Sequence, residues 1–244
     1  MNIALILNLD QDKISDSDRR KNFTLQNKPL IYFTVQAYAH SKIISDIYIA
    51  GKESEKDIIN SNLKNVTKFK EFIPIKVEQQ DTIKFCLYYL ENKIQYIFIH
   101  DAIRPFVTTK QIEKAYEAVT QHTACVFGHR PDEIIKIIDK DCRIISHPDQ
   151  SLCVALQSPV VFEFERLKKA YAVADSQNII FSDEISLYEL ICNPVKIIPG
   201  AENLKNITSK ADLIWAENFL QEHKNFYEKD FIENTFSFPS TPDN

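Results

Sequence analysis

The sequence predicts an α/β fold: a doubly wound, mostly parallel sheet with a protruding β-hairpin arm. Three observations carry this. Through the first half of the chain, short apolar runs of strand length alternate with longer stretches of helical spacing. The run YIFI at 96–99 is β-branched and aromatic throughout, as in a strand covered on both faces. Beyond residue 130 the alternation gives way to two β-rich runs about a polar turn.

The elements follow in order. Residues 2–8, NIALILN, make the first central strand. Residues 9–21 are polar and dense in charge (Asp10, Asp12, Lys13, Asp16, Asp18, Arg19, Arg20, Lys21) and form the first loop. Apolar side chains recur at helical spacing over 29–40, behind a proline suited to a first turn. A second strand is predicted at 46–50, ended by Gly51, then an exposed helix at 54–64, a third strand at 75–77 and an aromatic-faced helix at 82–90. The central strand leaves the sheet at His100 and Asp101. Ile112, Ala115, Tyr116 and Val119 share one face of a helix at 109–121, capped by Thr108 or Thr109, and 124–128 is another strand. Residues 133–138 and 143–146 flank the turn 139–141; an excursion of this kind packs on a second subunit. Helices at 164–174 and 183–192, a strand at 195–199 and a helix at 210–223 containing Trp215 complete a single domain over 1–224, with the arm at about 131–150. Residues 225–244 read as a loosely held tail.

Composition excludes several classes. Twenty-nine basic against 34 acidic residues give a net charge of −5, with lysines dispersed, so no polybasic surface for nucleic acid or anionic lipid is expected. No apolar run approaches the roughly 18 residues of a membrane span, and the start is too short for a signal sequence, which points to the cytoplasm. Five cysteines (Cys86, Cys125, Cys142, Cys153, Cys192) lack metal spacing and read as mostly buried free thiols. The only glycines are Gly51, Gly128 and Gly200, so no G-x-G-x-x-G follows any strand and a dinucleotide-dependent enzyme is disfavoured.

The chemistry concentrates in QYIFIHDAIRPFV, residues 95–107. Ligands of open α/β sheets bind beyond the carboxyl ends of the strands. Asp101 there can hold a divalent cation through oxygen, and Arg104 can brace a phosphate, a pairing suited to phosphoryl or nucleotidyl transfer. The same two residues also make a turn cap and its surface partner, and local chemistry alone favours that plainer reading.

HDAIRPFV resembles the HDAARPFV-type signature of the sugar- and polyol-phosphate cytidylyltransferases, above all the 2-C-methyl-D-erythritol 4-phosphate branch. KNFTLQNKPLI at 21–31 is similar to KQFLxLxGKPLL, LQSPVVF at 156–162 to AQTPQxF, SDEISLYE at 182–189 to TDEASLxE, and ENLKNITSKADLIWAE at 202–217 to DNIKITxPEDLxxAE. The ribitol-5-phosphate enzymes read HDSVRPF, so the match leans to the first branch. The resemblance implies a Rossmann-like fold of the nucleotide-diphospho-sugar transferase type, dimerisation through the arm, and transfer of CMP from Mg²⁺-bound CTP to a polyol phosphate with release of pyrophosphate. By position it implies Lys13 and Thr82 at the nucleotide, Lys21 on the triphosphate, Asp101 at Mg²⁺ or the nucleotide, and Arg104 orienting the acceptor or loop. Lys205 would touch the α-phosphate, with Asp132 and Asp183 on the acceptor side. Read plainly, Asp183 caps its helix with Ser182, and Lys205 stands one residue out of register with the pattern.

The sequence departs from the family where phosphate is handled. The AAGxGxRM loop, whose glycines let backbone N–H groups close on a triphosphate, is here LNLDQDKI, with Asp10 and Asp12 added. GGxxRxxSV is contracted to EQQDTI, which keeps only the hydroxyl of Thr82; the arm's Asp-Thr becomes Asp132-Glu133; and Gln150 aligns with the arginine expected before AQTPQ. Two hypotheses follow: a divergent cytidylyltransferase, for which ribitol 5-phosphate is the second acceptor, and a non-catalytic protein on the same scaffold kept for binding or assembly.

Overall fold

Seven of the apolar runs pair into one sheet in the computed structural model, which describes residues 2–9, 23–75, 82–90, 93–191 and 194–223. The strands are β1 (Asn2–Asn8), β4 (Asp46–Lys52), β5 (Phe69–Ile75), β6 (Ile94–Asp101), β7 (Ala124–His129), β10 (Ala155–Glu163) and β11 (Lys196–Pro199). Two small hairpins stand apart from them, β2 (Thr24–Leu25) with β3 (Lys28–Pro29) and β8 (Ile137–Ile138) with β9 (Ile144–Ser146). The sheet order is β11-β7-β10-β6-β1-β4-β5, with every pairing parallel except those of β10, which runs against both β6 and β7.

The helices are α1 (Leu30–His40), α2 (Lys56–Leu63), α3 (Thr82–Tyr89), α4 (Thr109–His122), α5 (Phe164–Gln177), α6 (Glu184–Ile191) and α7 (Lys210–Glu222). The period-two alternation of strand side chains sorts them onto two faces. Ile3, Leu5 and Leu7 of β1 and Phe98 of β6 face one layer with Val35 and Tyr38 of α1 and Ile112, Ala115 and Val119 of α4. Ala4, Ile6, Ile97 and Ile99 face the other, with Cys86 and Leu87 of α3, Leu167 and Tyr171 of α5, and Leu187 and Tyr188 of α6. A doubly wound α/β sheet is the result, each buried Leu or Ile contributing roughly 1.5–3 kcal/mol.

A third cluster joins Leu25, Leu30 and Phe33 to Phe106 and to Ala216 and Leu220 of α7. The loop after β6 is thereby packed between the first hairpin and the last helix. Thr34 of α1, fully buried, donates to the carbonyl of Ala102 at 3.0 Å and fixes the same loop from the other side.

Several boundaries differ from the sequence reading. β4 runs through Gly51 instead of ending there, because the bare Cα lets Leu9 and Glu55 approach to where a Cβ would stand. The third strand lies at Phe69–Ile75, earlier than 75–77. The arm's paired segments are shorter than expected, and its turn is held by Asp139, whose Oδ1 accepts from the amides of Asp141 and Arg143, both at 2.9 Å. Of the four described cysteines, Cys86 and Cys125 are buried, Cys142 is exposed and Cys153 partly so; Cys192 lies outside the described residues. The loop residues 10–22, which include Lys13 and Lys21, the segment 78–81 and the tail 225–244 lie outside the described residues.

Candidate active site

The winding of the sheet reverses between β1 and β6, whose last residues, Asn8 and Asp101, stand opposite each other in register. The amide of Ala102 donates to the carbonyl of Asn8 at 3.1 Å, so the two strand ends form one floor. Above it opens a cleft of about 290 Å³, lined among others by Asn8, Asp101, Arg104, Gln157, Ser158 and Asp183. The strand YIFI therefore delivers its acid to the place where open α/β sheets take ligands.

Arg104 Nε donates to Asp101 Oδ2 at 2.8 Å, and its Nη1 donates to the carbonyl of Leu204 at 2.6 Å. Their side chains are only 10% and 14% exposed for Asp101 and Arg104, so the plainer reading of a surface ion pair is corrected: solvent screens this pair little. The guanidinium also joins two sequence segments far apart in the chain. Residues 202–208 lie along the loop after β6, with Asn203 Nδ2 donating to the Phe106 carbonyl at 2.7 Å and the Ile207 amide to the Ile103 carbonyl at 3.0 Å.

His100, fully buried beneath this pair with the Tyr38 ring 5.5 Å away, is neutral at neutral pH. Burial pushes its pKa down to about 4, against the opposing pull of the Asp101 carboxylate and of its bond to the Arg104 carbonyl. Its Nε2 lies 3.0 Å from the Arg104 carbonyl and its Nδ1 3.2 Å from Ser158 Oγ, which in turn accepts from the Asp101 amide at 3.1 Å. Gln157 beside it clamps the chain after β11: Nε2 donates to the Ala201 carbonyl at 3.1 Å, and Oε1 accepts from the Ala201 amide at 3.2 Å. Gly200 lies so close that an added Cβ would come within 2.1 Å of Gln157 Oε1.

The other predicted residues divide. Asp183 lines the cleft and also caps α6: its Oδ1 accepts from the Ser186 amide at 2.9 Å, and its Oδ2 from the hydroxyls of Ser182 at 2.7 Å and Ser186 at 3.0 Å. Burial raises its carboxyl, but these bonds and that of the Ile185 amide outweigh burial and hold it below the usual range. Thr82 opens α3, and its neighbour Ile83 reaches the cleft lining. Lys205 is turned away from the cleft, its ammonium 3.1 Å from Asp212 Oδ1 and 5.5 Å from the centre of the Trp215 ring. Asp132 is exposed at the base of the arm, and Gln150 donates across that base to the carbonyl of Glu133 at 2.9 Å. Gln157 and Ser158 were not singled out as site residues from the sequence. The available signals were the match of LQSPVVF to AQTPQxF, which contains both residues, and two polar side chains interrupting an apolar run immediately before a proline.

Among the described residues no cluster of three or more His, Cys, Asp or Glu side chains could hold a metal ion. Of the cleft's acids Asp101 is buried, with Asp183 and Glu184 along the same lining; a single such carboxylate would serve as one oxygen ligand of a divalent cation.

Fold and crevice together define an α/β nucleotide-handling domain with its ligand end at the carboxyl edge of the sheet. The family model for 2-C-methyl-D-erythritol 4-phosphate cytidylyltransferase matches residues 10–222, and the chain belongs to that family. Among relatives bearing that name, the protein of Clostridioides difficile is 32% identical over 85% of this chain and 88% of its own. That of Dictyoglomus thermophilum is 28% identical over 81% and 87%. The crystal structure of 4-diphosphocytidyl-2C-methyl-D-erythritol synthase from Anaerococcus prevotii superposes with a TM-score of 0.79 at 20% identity, covering 90% of this chain and 96% of that one. The cytidylyltransferase of Francisella tularensis gives 0.74 at 21%, covering 90% and 99%. At these identities the structures speak for the fold.

Proposed function

We propose that this protein transfers CMP from CTP to the phosphate of 2-C-methyl-D-erythritol 4-phosphate, releasing pyrophosphate. The observation that carries the reading is the buried Asp101–Arg104 pair, set by HDAIRPFV at the switch point of the sheet. An acceptor phosphate oxygen attacks the α-phosphorus of CTP, the bond to the β-phosphate oxygen breaks, and the pyrophosphate departs. Such a transfer asks the protein for positioned phosphates and fixed positive charge, not covalent participation. Asp101 would hold a Mg²⁺ carried by CTP, which would neutralise part of the triphosphate charge. Arg104 fixes the Asp101 carboxylate and the segment before Lys205; Lys21 and Lys13 supply charge to the triphosphate. Lys205 reaches the α-phosphate only by exchanging Asp212 for substrate, and Asp183 and Asp132 serve the acceptor.

The same proposal includes a cytoplasmic homodimer of single-domain subunits joined through the arm. Ile134, Ile144 and Ile145 on the arm are 62–74% exposed, a run of large apolar side chains that a second copy would cover. No helix among the described residues is long and apolar enough to cross a membrane.

One observation favours a second reading, a non-catalytic member of the family: among the described residues lining the cleft, Arg104 is the sole cation against Asp101, Asp183 and Glu184. Pyrophosphate release from CTP and Mg²⁺, with 2-C-methyl-D-erythritol 4-phosphate or ribitol 5-phosphate in turn, separates the two. Release only with the first supports the proposal, and release only with the second moves the acceptor. No release with either, and no rise in melting temperature with CTP and Mg²⁺, leaves the non-catalytic reading.

A further inference from the structure

β10 runs antiparallel between β6 and β7, so those two strands run the same way and leave the sheet at the same ligand edge. Ile99 and Val126 both stand opposite Val160, which sets the two strands level and puts Gly128 of β7 level with Asp101 of β6. Arg130 lies two residues beyond. With strands about 4.8 Å apart and a rise of about 3.3 Å per residue, its Cα is roughly 12 Å from that of Asp101. An arginine and an aspartate that reach toward each other across this distance leave room for a phosphate between them.

Ala124 and Val126 share one face of β7, and Val126 lines the cleft. Pro131 holds the residue before it to an extended backbone, so the alternation carries through Gly128 to Arg130 on that same face. Leu156, opposite Gly128, also lines the cleft, and two residues of strand, roughly 6.6 Å, separate Arg130 from this rim. One extended arginine side chain covers that.

Charge points the same way. Among the described residues lining the cleft, Arg104 is the sole cation against Asp101, Asp183 and Glu184, and Asp101 already holds it. A phosphate monoester in this cleft is repelled unless further positive charge meets it at the rim. Of the described arginines, Arg104, Arg143 and Arg166 each have a carboxylate partner, whereas Arg130 is exposed and has no ion pair or hydrogen bond. Its five N–H donors are uncommitted.

Resting on the nucleotidyl-transfer reading, we infer that Arg130 binds the phosphate of the acceptor, its guanidinium gripping two phosphate oxygens in a bidentate fork at the β7 rim of the cleft. The third oxygen is left to bond to the α-phosphorus of CTP as the bond to the β-phosphate oxygen breaks, and the guanidinium keeps all its protons. The fork reads the phosphate and not the polyol, so it serves either acceptor.

Wild type, Arg130→Ala and Arg130→Lys test this. In Arg130→Ala the KM for the acceptor is expected to rise about tenfold to a hundredfold while that for CTP changes less than about twofold. Arg130→Lys keeps the charge without the fork and falls between. The exposed position leaves the melting temperature unchanged. Independently of turnover, 2-C-methyl-D-erythritol 4-phosphate is titrated calorimetrically into each protein with Mg²⁺ and a CTP analogue whose α,β-bridge is a methylene, and Arg130→Ala is expected to bind it at least about tenfold more weakly than wild type. A wild-type KM and Kd for the acceptor in Arg130→Ala, or an equal weakening for CTP, overturns the inference. If wild type releases no pyrophosphate with either acceptor, the transfer reading fails by itself. The titration then decides on Arg130: binding by wild type that Arg130→Ala loses upholds the phosphate site, and equal or absent binding overturns it.

Discussion

Acid should weaken this fold through His100 in a window set by its burial. The imidazole is fully buried and its pKa falls to about 4, against an ordinary value of 6.5. Above the ordinary value both folded and unfolded chains hold it neutral, and it contributes nothing to pH dependence. Between 6.5 and about 4 the unfolded chain takes up a proton that the folded one refuses, so stability falls with pH; below about 4 both are charged and the loss levels off. The whole loss is the shift multiplied by about 1.4 kcal/mol per unit, or roughly 3 to 4 kcal/mol, a large share of a typical domain's 5–15 kcal/mol. Urea unfolding of wild type and His100→Asn at intervals from pH 7 to 4, without nucleotide or divalent cation, measures it. The variant starts less stable because it loses a ring of hydrogen bonds, but the gap to wild type narrows by about 3 kcal/mol across the window, and carboxylates common to both cancel. A gap that stays constant with pH would show that His100 is not held neutral by burial.

Three further outcomes are expected. Gly200→Ala drives its Cβ into Gln157 Oε1 and should break both bonds to Ala201, lowering stability by about 1–3 kcal/mol in urea unfolding; an unchanged midpoint would contradict the close approach. Phe106→Ala empties the fully buried position that joins Phe33, Trp215 and Phe219, at a cost of about 3–5 kcal/mol read from thermal or urea unfolding. Replacing Ile144 and Ile145 of the arm with lysine should convert dimer to monomer in sedimentation at micromolar protein without lowering the melting temperature of the subunit. A monomeric wild type would refute the arm as the dimer contact.

The central strand was legible because YIFI is apolar at every position, and only a strand covered on both faces asks for that. Its consequence, an acid at the crevice, followed from the fold class alone. β10 was not read as a strand because Gln157, Ser158 and Pro159 interrupt it with two polar side chains and a residue without an amide proton, although Val160, Val161 and Phe162 are buried beyond them. With β10 went its antiparallel place between β6 and β7, hence the contact of Ser158 with His100, which no spacing in the chain encodes. β5 was misplaced because Lys70, Glu71 and Pro74 blur its alternation at the edge of the sheet. The small hairpin of β2 and β3 turns through Gln26 and Asn27, both at positive φ, where Asn27 was the only hint. Arg104 was legible as a partner of Asp101 but not as a bridge to Leu204, a contact across a hundred residues. Lys205 shows the converse: the motif marks the position, while Asp212 on the next helix decides where the ammonium points. The Asp212 carboxyl, raised by burial but lowered further by bonds from Ser209, Lys205 and Thr208, lies at about 2 and keeps its charge at neutral pH.

The transfer itself is tested most directly by following labelled α-phosphate from CTP into 2-C-methyl-D-erythritol 4-phosphate in the presence of Mg²⁺, with wild type beside an Asp101→Asn variant shown to be folded by its melting curve. If Asp101 anchors the nucleotide's metal at the switch point, wild type moves the label into the acceptor and the variant does so at least about a hundredfold more slowly. Equal transfer by both proteins would contradict the site, and no transfer by a wild-type protein that is folded and dimeric would contradict the function.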